Sequence, residues 1–171
     1  MLSIMLLGCG RPSYSGISAL PNIRSFKATT IDGTNFTEKD LAKYDLTIIN
    51  IWATYCSPCV REMPDLAKLE KSLPDNIQFI TVCTDASTRA SRMFDILDEA
   101  GYTGMTLISF SGDLLELVRS TRYIPTSVFV DSKGNIVVKE LVGSPKLIEE
   151  SYHYQINRAF ENMGKEPIYD I

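Results

Sequence analysis

Two periods of apolar residues alternate along the chain, and each switch between them marks an element. Leu46-Thr47-Ile48-Ile49-Asn50-Ile51-Trp52 is a nearly unbroken apolar run, the pattern of a strand buried on both faces. Over 57–73 the spacing changes, with Leu66, Leu69 and Leu73 recurring at three and four residues, which predicts an amphipathic helix. Residues 76–84 return to a β-branched run containing Ile77, Phe79, Ile80 and Val82. A second strand there, parallel to the first, closes a right-handed βαβ unit. Ala90, Met93, Phe94 and Leu97 predict a helix over 87–100 on one apolar face, with Gly101 as its C-cap. A short strand over 105–109 and a helix over 113–120 follow. Upstream, residues 26–36 are broken at Asp32-Gly33, a dipeptide suited to a hairpin turn. Residues 124–138 are broken at Lys133-Gly134-Asn135 and predict strand, turn, strand. The helix expected over 145–163 places Ile148, Tyr152, Ile156, Ala159 and Phe160 on one face. The sum is an α/β sandwich, a mixed sheet flanked by helices.

Length and composition narrow the class. With 171 residues and 44% apolar content the chain has enough sequence for one full domain. That domain is expected over 24–163, preceded by a tether within 1–23 and followed by a tail over 164–171. Net charge is −4 and no basic stripe stands out, which argues against nucleic acid as a partner. No internal apolar stretch approaches the roughly 20 residues that cross a bilayer as a helix. Leu6-Leu7-Gly8-Cys9, at the end of an apolar segment, resembles the lipobox of bacterial lipoproteins. There, cleavage before the cysteine leaves its thiol to be acylated. The pattern implies a lipid anchor at Cys9 on the outer face of a bacterial cell membrane. Gly10-Arg11-Pro12-Ser13 and the residues after it supply a tether. The segment lacks a basic start and is short for a signal, so an ordinary apolar stretch is the alternative.

The four cysteines, at 9, 56, 59 and 83, are too few and too unevenly spaced for a disulfide scaffold. Cys56 and Cys59 stand between the predicted strand and helix, the setting in which a Cys-x-x-Cys pair does redox chemistry. Cys56 then meets a helix N-terminus, where free backbone N–H groups favour a thiolate. Cys59 lies one turn farther in, within reach of a small disulfide. A zinc site would need four ligands. The remaining candidates, Cys9, Cys83 and the sole histidine His153, are not paired at ligand spacing, so no metal and no cofactor is expected beyond the redox disulfide itself.

Asn50-Ile51-Trp52-Ala53-Thr54-Tyr55-Cys56-Ser57-Pro58-Cys59, with Pro64 and the later Ile124-Pro125-Thr126, resembles the thioredoxin fold. Within it the chain is most similar to the TlpA/ResA-like extracytoplasmic thiol–disulfide oxidoreductases, over about residues 24–162. Asn50 stands where cytosolic thioredoxins carry a buried Asp, and the motif continues as Glu62-Met63-Pro64. The N-terminal hairpin and an inserted strand–helix portion before Pro125 also fit that branch. Tyr55 replaces the Trp more often found before the first cysteine.

The resemblance implies roles. Cys56 attacks a client disulfide and Cys59 resolves the mixed disulfide. Trp52, Tyr55, Ser57, Pro58, Ile124 and Pro125 line the substrate groove, with Pro125 cis. Trp52 and Tyr55 read equally as a core and a surface aromatic. Pro58 without a neighbouring histidine leans the pair toward the reducing end of the range between about −270 and −120 mV. Asp85 is either a proton acceptor for the buried cysteine or the N-cap of the helix after it. Glu62 reads as a surface charge, Cys83 as a buried inert thiol and His153 as a solvated or half-packed side chain. A monomer is expected. Its partners would be protein disulfides, such as those of apocytochromes c or methionine sulfoxide reductases, and a membrane thiol carrier of the CcdA/DsbD type. The alternatives are a disulfide-forming oxidase of the same fold and a thioredoxin-like copper chaperone. The latter suits Cys-x-x-x-Cys with a nearby histidine rather than this spacing.

Overall fold

The computed structural model describes residues 20–170. Its elements run β1 (Phe26–Thr30), β2 (Asn35–Thr37), α1 (Glu38–Leu41), β3 (Leu46–Trp52), α2 (Ser57–Ser72), β4 (Ile77–Cys83), α3 (Ala86–Glu99), β5 (Met105–Gly112), α4 (Asp113–Ser120), β6 (Thr126–Asp131), β7 (Leu141–Val142) and α5 (Ile148–Asn162). One seven-stranded sheet takes the order β2-β1-β5-β4-β3-β6-β7. Strands β3, β4 and β5 are parallel, while β1 and β6 run antiparallel to their neighbours.

The unbroken apolar run of β3 is explained by its place. It lies between β4 and β6, and all seven of its residues are buried. Its alternate side chains feed two cores. Leu46, Ile48 and Trp52 pack with α2, α3 and α5 through Met63, Leu66, Met93, Ile96, Tyr152 and Ile156. Ile49 and Ile51 face the other way, toward Leu41 of α1 and Leu114 and Leu117 of α4. The strand–helix portion β5–α4 extends the sheet between β4 and the N-terminal hairpin. The turn of that hairpin is made at Gly33, whose φ of 84° is the left-handed region glycine enters without strain.

Three local expectations change. The apolar face of α3 is Met93, Ile96 and Leu97, whereas Phe94 is exposed, as is Ala90. Arg89 has non-helical φ and ψ (−136°, 36°), so a repeat counted through it loses phase. After β6 the turn at 133–135 is present, but residues 136–138 form only an isolated bridge, Val130 to Ile136. The strand that pairs with the edge of β6 away from β3 is the later β7, opposite Thr126 and Ser127. Residues 164–170 pack back on α5, where the buried Asn157 side chain accepts N–H bonds from Ile168 and Tyr169 (2.9 and 3.0 Å) and donates to the Tyr169 carbonyl (2.7 Å). His153 stacks on the Tyr169 ring, with centroids 3.6 Å apart.

Candidate active site

Strand β3 delivers the chain to the mouth of the site. Past Trp52 it turns, with the Cys56 N–H donating to the Ala53 carbonyl (3.1 Å), and Cys56 becomes the N-cap of α2. The Cys59 N–H, one of the donors that a helix start leaves without an intrahelical partner, points at the Cys56 sulfur from 3.3 Å. Cys56 and Cys59 are joined in a disulfide with Cα atoms 5.3 Å apart. Cys56 retains 7% exposure and Cys59 none, so an incoming group reaches the first sulfur only. On reduction the same N–H and the helix dipole favour a thiolate at Cys56.

A segment distant in sequence closes the other side. The Ile124 carbonyl oxygen lies 3.6 Å from Cys56 Sγ, and the Ile124–Pro125 bond is cis. The Pro125 carbonyl accepts from Gly143 N–H at 2.8 Å, which ties this loop to the residue after β7. Ser57 and Pro58 are exposed on the first turn of α2. Tyr55 stands out at 68% exposure, and Trp52 is fully buried below it. Tyr123, 70% exposed, immediately precedes Ile124. Sequence reasoning passed over it, although its place one residue before the Ile-Pro pair was the available signal.

The Redoxin family model matches residues 16–156. The chain belongs to the Redoxin family. It is 30% identical over 122 residues to the thioredoxin-like protein YneN of Bacillus subtilis, covering 71% of this chain and 70% of that one. It is 24% identical over 161 residues to the thiol-disulfide oxidoreductase ResA of Halalkalibacterium halodurans, covering 88% of each. Among solved structures, StoA from Bacillus subtilis superposes with a TM-score of 0.62 at 23% identity, covering 78% of this chain and 98% of StoA. The chain is accordingly a thiol–disulfide oxidoreductase of thioredoxin fold.

Two carboxyl groups support the site of this oxidoreductase. Asp85 occupies the N-cap position of α3 without a side-chain cap bond. Its oxygens instead accept from the Thr54 N–H (3.0 Å), the Thr54 hydroxyl (2.6 Å) and the Cys83 thiol (3.3 Å). The Arg89 guanidinium lies 3.8 Å away. Asp85 thus ties the end of β4 to the loop that leads into Cys56. Burial alone would raise its pKa, but the donors from Thr54 and then Cys83 outweigh it and hold the carboxyl below its ordinary value. Cys83 is buried and free. Burial, helped by the Asp85 carboxylate, pushes its thiol up to about 12, which keeps it protonated and unreactive.

Glu62 corrects the sequence reading. It is not a surface charge but is 3% exposed, on the face of α2 that also carries Cys59, three residues earlier. Asn50 Nδ2 donates to Glu62 Oε1 at 3.2 Å, while Oε2 has no partner. Burial pushes its pKa up to about 7, against the opposing pull of the Ser144 hydroxyl and the Asn50 amide. The site therefore contains a buried acid whose proton is exchangeable near neutrality.

Cys9 lies outside the described residues. Among those described, no group of three or more His, Cys, Asp or Glu side chains is placed to hold a metal ion, and no helix is long and apolar enough to cross a membrane.

Proposed function

We propose that the enzyme is a reductase of protein disulfides that works outside the cytoplasm. The observation that carries the reading is the accessible Cys56 sulfur, held between the Cys59 N–H and the Ile124 carbonyl. In the reduced enzyme the Cys56 thiolate attacks one sulfur of a client disulfide. The client's S–S bond breaks, its second sulfur leaves as a thiolate that takes a proton, and a Cys56–client disulfide forms. Cys59 then gives its proton to the Glu62 carboxylate and attacks Cys56 Sγ. The mixed disulfide breaks, the client leaves fully reduced, and the two electrons it gained correspond to the new Cys56–Cys59 disulfide. An external dithiol protein, of the CcdA/DsbD type by resemblance, returns the pair to its reduced state.

Glu62 rather than Asp85 takes the acceptor role in this scheme. It shares a helix face with Cys59 and titrates near neutrality, whereas the Asp85 oxygens are already engaged by Thr54 and Cys83. Tyr55, Ser57, Pro58, Ile124 and Pro125 form the groove around Cys56, and Tyr123 joins them, whereas Trp52 is fully buried and packs in the core instead of lining it. The reducing direction is supported by Ser57-Pro58 between the cysteines and by the position of the sole histidine, which stacks on Tyr169. Action outside the cytoplasm and a lipid anchor at Cys9 are supported by the TlpA/ResA resemblance and the Leu-Leu-Gly-Cys pattern. Clients of the apocytochrome c or methionine sulfoxide reductase kind rest on that resemblance too.

The test is Cys59→Ser, which removes the resolving thiol. Client proteins should accumulate on Cys56 as mixed disulfides that dithiothreitol releases. A failure to trap any protein while Cys56 stays alkylatable would overturn the mechanism. The potential of the wild-type pair should fall nearer about −270 mV than about −120 mV. A value above about −200 mV would favour the disulfide-forming oxidase.

A further inference from the structure

Beyond Glu62, a chain of buried polar groups runs from α2 along one face of the sheet to α5. Asn50 Nδ2 donates to Glu62 Oε1 (3.2 Å) and also to Ser127 Oγ (3.0 Å), and Ser127 Oγ lies 2.6 Å from the Tyr152 hydroxyl. Asn50, Glu62, Ser127 and Tyr152 are all at most 3% exposed. Asn50 Oδ1, on the far side of the amide, has no partner, so nothing there holds the group. Its orientation is set by what Glu62 and Ser127 demand of it. An ionised carboxylate only accepts and requires the NH2; a protonated carboxyl can donate and is equally served by the carbonyl oxygen.

Ser127 decides between these two states because it has a single proton. While the Tyr152 oxygen takes that proton, Ser127 has only lone pairs to offer Asn50, and the NH2 must face both Ser127 and Glu62. Without the Tyr152 hydroxyl, the Ser127 proton turns to Asn50 and calls for Oδ1 instead. That inverts the amide and turns an acceptor toward Glu62, which favours the protonated acid. We propose that Tyr152, acting through Ser127 and Asn50, is a positioning residue that keeps a donor aimed at Glu62 and so tunes the proton-accepting step of disulfide exchange. This rests on the reading of Glu62 as that acceptor. The titratable groups facing Glu62 are Cys59 on its own helix and Tyr152 from α5. β3 and β6 present Asn50 and Ser127, and the loop after β7 presents Ser144.

The experiment follows resolution of a Cys56 mixed disulfide by stopped flow across the pH range around neutrality, with the sole tryptophan, Trp52, as reporter. In wild type the rate should rise with pH through the Glu62 titration to a plateau. In Tyr152→Phe the midpoint should move up by about one pH unit, a tenfold change in proton affinity, with the plateau unchanged. Ser127→Ala removes the acceptor without supplying a competing donor, so it should move the midpoint by less. The double variant should match Ser127→Ala, a partial rescue that a packing defect would not give. A rate lowered at every pH with an unmoved midpoint in both single variants overturns the proposal. Should Tyr152→Phe fail to fold, an unmoved midpoint in Ser127→Ala alone does the same. Glu62→Gln separates the two layers. If the pH limb survives that change, the acceptor reading itself fails. If the limb is lost but Tyr152→Phe leaves the wild-type midpoint in place, only the role of Tyr152 is refuted.

Discussion

Asp85 and Glu62 are both carboxylic acids beside the redox pair, and their surroundings differ in one respect that decides what each does. Asp85 is met by donors on both oxygens, two from Thr54 and one from Cys83, with Arg89 nearby. Glu62 is buried with only the Asn50 amide, which donates to Oε1, and the Ser144 hydroxyl pulling against its burial. Desolvation acts on both. At Asp85 the hydrogen bonds win and fix the negative charge; at Glu62 desolvation wins and the charge becomes optional near neutral pH. A fixed charge suits a clamp on the Thr54–Cys56 loop. An optional charge suits a group that must accept a proton and give it back.

The largest expected break in this contrast is Glu62→Gln. A positioned proton acceptor contributes about 10²–10⁴-fold, and we expect loss of about 10²-fold in the resolving step at pH 7, with the attack by Cys56 nearly unchanged. Single-turnover kinetics of the two steps read this directly.

Next is the pH dependence of stability. The folded pKa of Glu62, about 7, lies above its ordinary 4.5. The stability linked to its proton is therefore full below pH 4.5 and lost as pH rises through 7. The shift corresponds to about 3 kcal/mol, which denaturant titrations should find in wild type and not in Glu62→Gln. Asp85 has the opposite sign. Its depressed pKa gives stability that is present above its ordinary 3.8 and lost as pH falls through the folded value.

Asp85→Ala should cost about 2 kcal/mol, because the Thr54 N–H and hydroxyl are left without their acceptor. In addition it should loosen the approach to Cys56, read as faster amide exchange over residues 53–56. The smallest effect belongs to Cys83→Ala. It removes one weak donor and should cost about 1 kcal/mol or less, leaving the Cys56–Cys59 potential where it was.

Much of the scaffold was legible because local pattern and burial agree. β3, α2 and β4 follow from apolar runs and a helical repeat, and Cys56 and Ile124-Pro125 meet as the resemblance implied. Glu62 was hidden by its charge rather than by the pattern. It falls three residues after Cys59 and four before Leu66, a position the α2 repeat assigns to the core, yet a lone glutamate is ordinarily solvated. The role of Asp85 was hidden because its partners, Thr54 in the loop after β3 and Cys83 at the end of β4, are brought together only by a strand pairing whose register the sequence does not state. β7 is two residues long and has no period to read. The packing of 164–170 depends on backbone bonds to one asparagine, Asn157, which leave no trace in hydropathy.

The central claim is that Glu62 exchanges a proton near neutrality while Asp85 keeps its charge. A carbon-13 NMR titration of the side-chain carboxyls in the oxidised enzyme tests it most directly, assigned by Glu62→Gln and Asp85→Asn. The account predicts a Glu62 midpoint near 7 and an Asp85 midpoint below 3.8. A Glu62 carboxyl already ionised at its ordinary 4.5 would contradict it.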